Sequence, residues 1–89
     1  MKYVVVYESS DDVRRKAPIH FPAHKARWQA FRDRGELLMI GTFSDVSGAM
    51  GIFTSREAAE AFVEEDPFVL HGVVSGYQIR EWNEAIAGP

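Results

Sequence analysis

The sequence predicts an α+β domain with its elements in the order β-α-β-β-α-β. Three observations carry that expectation. Four runs rich in β-branched and aromatic residues, at 2–8, 36–43, 49–54 and 72–82, read as strands. Two intervening stretches carry helical spacing of apolar residues. Proline and glycine fall between the elements, where they punctuate a fold.

Taken in order, "KYVVVYE" is the first strand, with Tyr3, Val5 and Tyr7 on one face and Val4 and Val6 on the other. The segment 9–18, "SSDDVRRKAP", is polar and mixed in charge and reads as a solvated loop, its Arg14, Arg15 and Lys16 balanced by Asp11 and Asp12. Proline suits the first turn of a helix, where its missing N–H is not needed, so the first helix is expected from about Pro22 to Arg34, closed by Gly35. "ELLMIGTF" gives the second strand, "FSDVSG" a turn and "AMGIFT" the third strand. Thr54 and Glu57 have capping-box spacing and open the second helix, "SREAAEAFVEE". Pro67 should stop that helix near Asp66, and "GVVSGYQIREW" is the last strand. This order is the split βαβ arrangement of a ferredoxin-like fold, a four-stranded antiparallel sheet with two helices on one face.

Residues 1–89 make one domain, with a core over about 2–83 and a short C-terminal tail. Second and third strands are apolar on both faces: Leu37 and Met39 oppose Leu38 and Ile40, and Ala49, Gly51 and Phe53 oppose Met50 and Ile52. A sheet apolar on both faces needs cover on both, and two helices supply only one side. A second copy is therefore expected on the other side, giving a homodimer.

Composition excludes several classes. A net charge of −3 gives no basic footprint for nucleic acid, and "GAMGIFT" lacks the basic-aromatic pattern of RNA-binding sheets. No apolar run is long enough to span a membrane, and the N-terminal run is too short for a signal peptide. The absence of cysteine removes disulfides and thiolate metal sites and fits a cytoplasmic protein.

The chemistry concentrates in "APIHFPAHKARW" and "EEDPFVLHG". His20 and His24 are four apart, but with a helix starting at Pro22 they would not share a continuous face, and no third ligand has recognisable spacing. No metal and no cofactor are expected. His24, in a first turn, would meet a helix dipole that favours the neutral imidazole a general base requires. It heads a stripe with Trp28 and Phe31. The bland alternative is a packed histidine with a backbone partner. On the second helix, the stripe of Ala58, Ala59 and Phe62 brings Asp66 toward the same face. A carboxylate leaning inward at a helix C-terminus needs a partner. The alternative has Asp66 turned outward as a capping residue, and the spacing leaves both open. His71 reads as a polar loop residue before Gly72, and Trp82 as packing at the sheet end.

At these residues the chain resembles the YCII family of YciI-like proteins. The resemblance covers about residues 2–83 and is carried by "HKARWQAFRDRGELLMIGTF", "AMGIFTSREAAEAFVEEDPFVLHGVV" and "IREW". His24, Gly35 and the Asp66-Pro67-Phe68 step match the family pattern in order and spacing. The resemblance implies a dimeric α+β barrel with an active site built on His24 and Asp66. One relative is linked to dehydrochlorination of a chlorinated hydroxyquinol, and muconolactone isomerase shares the barrel. His71 departs from the small or amide residue expected before the glycine. His20 is familiar from a subgroup with the "HFPAH" form.

The two lines meet: a carboxylate that reaches His24 fixes its tautomer and supports its basicity, and the imidazole gives the carboxylate its partner. No nucleophile accompanies the pair, since cysteine is absent and no serine sits in an elbow. The expected function is general acid/base proton transfer on a small cyclic or aromatic molecule, of isomerase or lyase type. The expected catalytic residues are His24 and Asp66, with His20, Trp28, Tyr7, Phe43, Phe68 and His71 around the substrate. The competing expectation is a non-catalytic module that binds a small metabolite or stabilises an assembly.

Overall fold

A central strand with a partner on each side organises the molecule. A computed structural model describes residues 1–88. β1 (Lys2–Ser9) pairs antiparallel with β3 (Gly48–Phe53) and with β4 (Val74–Trp82), and β2 (Leu37–Thr42) pairs with β3 at the edge. The four strands lie in the order β2-β3-β1-β4. The helices are α1 (Val13–Asp33), α2 (Arg56–Glu65) and a single turn, α3 (Pro67–Leu70). The ferredoxin-like α+β architecture is as expected.

One face of the sheet carries the core. Val5, Tyr7, Leu37, Phe53 and Val74 pack against Phe31 of α1 and against Ala58, Ala59, Phe62 and Val63 of α2. Phe62 meets Phe31 and Phe53 with ring centroids 5.2 Å away in each case. Such tilted and edge-on pairs contribute about 0.5–1.5 kcal/mol each beyond their burial. The small side chains of Ala58 and Ala59 let α2 settle close to the strands.

Three sequence expectations are corrected. First, α1 begins at Val13 rather than Pro22 and runs through both prolines, so most of the presumed 9–18 loop is helix. Each proline withholds one i→i−4 bond, a cost of about 3 kcal/mol in an interior turn. Pro18 and Pro22 are exposed, so the carbonyls they leave unpaired lie on the wet side of the helix. The opposite side holds the helix together through its stacking on α3, described below. Second, the N-cap of α2 is Ser55, whose Oγ accepts from the Ala58 N–H at 3.1 Å. Thr54 is still tied to the sheet region, its N–H donating to Glu36 O at 3.0 Å. Third, the register shifts between Leu37 and Met39. Leu37 pairs with Phe53 on the core face, while Met39 pairs with Ile52 on the opposite face. A strict period of two would have put both on one side; the irregularity at Leu38 separates them.

Gly35 closes α1 as expected. Its φ is +76°, its N–H donates to Arg32 O at 2.9 Å, and the Glu36 N–H donates to Phe31 O at 3.0 Å. These are the two bonds of a Schellman cap, which needs a left-handed residue at this point. Gly72, at φ +67°, closes α3 in the same way, with Val73 N–H donating to Phe68 O at 3.0 Å.

The other sheet face has no helix over it. Val4, Val6, Met50 and Ile52 lie there by register, joined by Met39 and by Trp82 at the edge. Met39 is 67% exposed and Trp82 46%.

Candidate active site

Asp66 answers both of its sequence readings at once. It ends α2 with extended backbone, φ −67° and ψ 124°, and is also the N-cap of α3. The Pro67 ring forces that break, because the residue before a proline is pushed out of helical geometry. The Asp66 side chain is fully buried. Its Oδ1 accepts from the Phe68 N–H at 3.2 Å, so it does cap a helix. The same oxygen lies 2.7 Å from Nδ1 of His24, and Oδ2 accepts from the Tyr7 hydroxyl at 2.5 Å. A carboxylate that only accepts pairs with an Nδ1–H, which assigns His24 the tautomer with Nε2 bare. Three donors therefore converge on a side chain that is fully buried. The anion also sits at the start of α3, where the backbone N–H groups favour it.

His24 lies near the middle of the 21-residue α1, not in a first turn, so the helix dipole has no hold on it. What positions the ring is packing. It stacks on Phe68 with centroids 3.8 Å apart and planes 7° apart, and Phe62 meets it edge-on at 6.2 Å. The residue is 7% exposed. Among the described residues Nε2 has no hydrogen-bond partner and is not sealed from its surroundings.

That nitrogen belongs to a ring lining a cavity of about 260 Å³ between α1 and the sheet. Tyr7, Trp28, Phe68, Ile40 and Met50 are also in its wall. An apolar cavity of roughly 150 Å³ already admits benzene, so a substituted ring fits here. His24 and Tyr7 are the titratable groups in the wall.

Tyr7 is the component whose part the sequence did not disclose. Expected as a pocket aromatic, it also holds the carboxylate. Burial, then the negative charge of Asp66, then the hydrogen bond donated to it push the phenol well above its usual range. The hydroxyl is therefore neutral and a permanent donor. A phenol held protonated in the native state stabilises the fold fully below its unfolded value of about 10, and that stabilisation is lost as pH rises past it. The expected result is that stability falls above pH 10 by up to about 1.4 kcal/mol per pH unit more in the native protein than in Tyr7→Phe. Urea unfolding of both proteins from pH 8 to 11 measures the difference; parallel curves would contradict the assignment.

Arg27 was also missed. Its Nε donates to Phe62 O at 3.0 Å and its Nη2 to Ala61 O at 2.5 Å. The guanidinium thus takes up two carbonyls at the end of α2 and fixes that helix beside α1. Its position, three after His24 on the same helix, was the available signal.

Three residues expected at the pocket are elsewhere. His20 is on the continuous helix after all, one turn before His24, but its ring stacks on His71 with centroids 4.2 Å apart and planes 5° apart. Neither lines the cavity. They form a second rung beside the His24–Phe68 stack and tie α1 to α3. Phe43 lies in a shallow depression with Met39 and Ile52. No group of three or more His, Cys, Asp or Glu residues could hold a metal ion among the described residues. No helix among them is long and apolar enough to cross a membrane.

Fold and site together define a small ferredoxin-like α+β domain with a buried carboxylate–imidazole pair at an apolar cavity. The chain matches the YCII-related domain over residues 1–83 and belongs to that family. It is 32% identical over 96 residues to Protein YciI of Escherichia coli O6:H1 and of Shigella flexneri, covering 94% of this chain and 98% of each relative. Its fold is shared with a solved 5-chloro-2-hydroxyhydroquinone dehydrochlorinase (TftG) from Burkholderia phenoliruptrix AC1100, in complex with 2,5-dihydroxybenzoquinone. That similarity has a TM-score of 0.76 at 19% identity and covers 96% of both chains.

Proposed function

We propose that this protein is an enzyme that moves a proton on a small cyclic or aromatic molecule held in the His24 cavity. One observation carries the reading: Nδ1 of His24 is engaged by a buried carboxylate, which leaves Nε2 as an acceptor at an apolar cavity of about 260 Å³. In this reading Nε2 takes a hydroxyl or C–H proton from the bound ring. The electron pair moves into the ring, and the proton is returned at another atom, or a leaving group departs with the pair. Asp66 holds the ring tautomer and offsets the positive charge that develops on the imidazole. Tyr7 holds Asp66. An isomerisation or an elimination needs nothing more, and no cysteine or serine lines the wall. The dehydrochlorinase of like fold, with its bound quinone, supports a hydroxylated ring as the substrate class.

The test uses 2,5-dihydroxybenzoquinone as the ring probe and ¹⁵N NMR of the imidazoles. The native protein should show His24 protonated on Nδ1 and bare on Nε2, and the probe should shift the Nε2 signal. Asp66→Asn should mix the tautomers, and His24→Ala should abolish the response to the probe. Probe binding unchanged in both variants would leave a binding module rather than a catalyst.

We further propose that the uncovered sheet face pairs with a second copy of this chain. Met39 and Met50 are exposed on it, and Val4, Val6 and Ile52 lie on the same face, where no helix shields them. Sedimentation equilibrium should return twice the chain mass at micromolar concentration, and Met39→Lys, a change outside the His24 cavity, should return the single mass. A native protein that sediments as a monomer removes this proposal and leaves the one on His24 standing.

A further inference from the structure

We propose that the His24 cavity is one lobe of a longer site, and that its second lobe takes an apolar arm ending in an anionic group, received by Arg14. This rests on reading the His24 cavity as a ring-binding site. The second lobe is a cavity of about 310 Å³ between the first turns of α1, the β2–β3 connection and the start of β4. Its wall includes Val13, Ala17, Pro18, Val46 and Val73. The two cavities share Thr42, Ala49 and Phe68, so they adjoin along these residues with no layer of core between them.

One stripe of α1 runs along both. Arg14 and Ala17 line the second lobe, and Phe21, His24 and Trp28 line the first. The spacings of three and four put these residues on one face of the helix. From Arg14 to His24 is about 15 Å along the axis at 1.5 Å per residue. A ring with a chain of four or so carbons, met by an extended arginine side chain, spans that distance. A ring alone leaves the second lobe without a purpose.

Charge selects the end group. Arg14 is the one charged residue in the second wall, and among the described residues it forms no ion pair, whereas its neighbour Arg15 is tied to Asp12. An apolar channel that ends on a free guanidinium matches a carboxylate at the end of an alkyl chain. Val46 marks the same wall. It holds φ +54°, a left-handed conformation that a β-branched residue rarely adopts, in the connection between β2 and β3. The N–H of Val46 donates to Phe43 O at 2.9 Å and that of Ser47 to Asp45 Oδ1 at 3.0 Å, which fixes the turn. Strain of this kind persists where the surroundings require the shape, and functional sites are where it collects. The substrate class is thus an aryl- or quinone-alkanoate.

The experiment titrates the full chain with 5-phenylpentanoate, its neutral amide 5-phenylpentanamide, and 2,5-dihydroxybenzoquinone, following ¹H–¹⁵N NMR shifts. The expected result is that the carboxylate probe moves the amides of Ala17 and Val46 and binds about fivefold more weakly to Arg14→Gln, while the amide probe binds both proteins alike. Ala17→Phe, which fills the second lobe, should remove binding of the carboxylate probe and leave that of the quinone. Circular dichroism confirms that each variant is folded. Absence of 5-phenylpentanoate binding at millimolar concentration, equal binding to all three proteins, or shifts confined to the His24 lobe overturn the second lobe alone. Absence of quinone binding to the native protein overturns the ring-binding reading, and this inference with it.

Discussion

Asp66→Ala is expected to lose about 3–5 kcal/mol of stability, a large part of what a domain of this size possesses. The carboxylate is wholly buried, and three donors converge on it: the Tyr7 hydroxyl, His24 Nδ1–H and the Phe68 N–H. Removing the acceptor strands all three where water does not reach, and the cost of an unmade buried hydrogen bond exceeds the net gain of a made one. The cap of α3 goes with it, and with the cap the turn that carries Phe68 onto His24. Asp66→Asn retains one acceptor oxygen and the shape, and Tyr7 can rotate to accept from the new amide. Its loss should be smaller, about 1–3 kcal/mol. Urea midpoints for the two variants at unchanged m-value separate these cases. An Asp66→Ala protein within about 1 kcal/mol of the native one would mean that the three hydrogen bonds do not act as a unit.

His24→Gln is expected to lower the rate of proton transfer by about 10²–10⁴ while leaving the fold nearly intact. Glutamine can still donate an N–H to Asp66, so the buried carboxylate is not abandoned. Its amide has no lone-pair nitrogen to take a proton, so the base is gone. The stacking on Phe68 is weakened, which should cost no more than about 1.5 kcal/mol. Exchange of the ring hydrogens of 2,5-dihydroxybenzoquinone for deuterium, followed by ¹H NMR, reads the step directly. Native protein that accelerates exchange no more than buffer does, or a variant that matches the native rate, removes the catalytic reading. The contrast between the two predictions matters: one residue is expected to dominate stability and its partner to dominate rate, although they are 2.7 Å apart.

Local rules placed most of the elements but failed at α1. Judged locally, an interior proline is expensive, so local rules put a helix start at Pro22. The price is met by contacts that no local window contains, chiefly the stacking of His24 on Phe68 and of His20 on His71, whose partners lie over forty positions away. A helix starting at Pro22 would give His24 a dipole it does not feel and leave His20 off the helix, whereas α1 runs Val13–Asp33 and holds both. The Leu37–Met39 shift was equally hidden, because a bulge is decided by how two strands meet and not by the alternation within one.

The element order, the glycine that closes α1, the break that Pro67 imposes at Asp66, and an imidazole and a carboxylate without a cysteine are all legible in the residues alone. Each follows from backbone sterics or side-chain chemistry, which act over a few residues. Only the tertiary structure decided that Asp66 points inward and caps α3 at the same time. It also decided that Tyr7 supplies the third donor to that carboxylate, and that His20 and His71 stack on each other away from the cavity. These depend on residues up to 59 positions apart along the chain meeting in the buried interior. There the need to satisfy every buried polar group selects one arrangement among those the local rules allow.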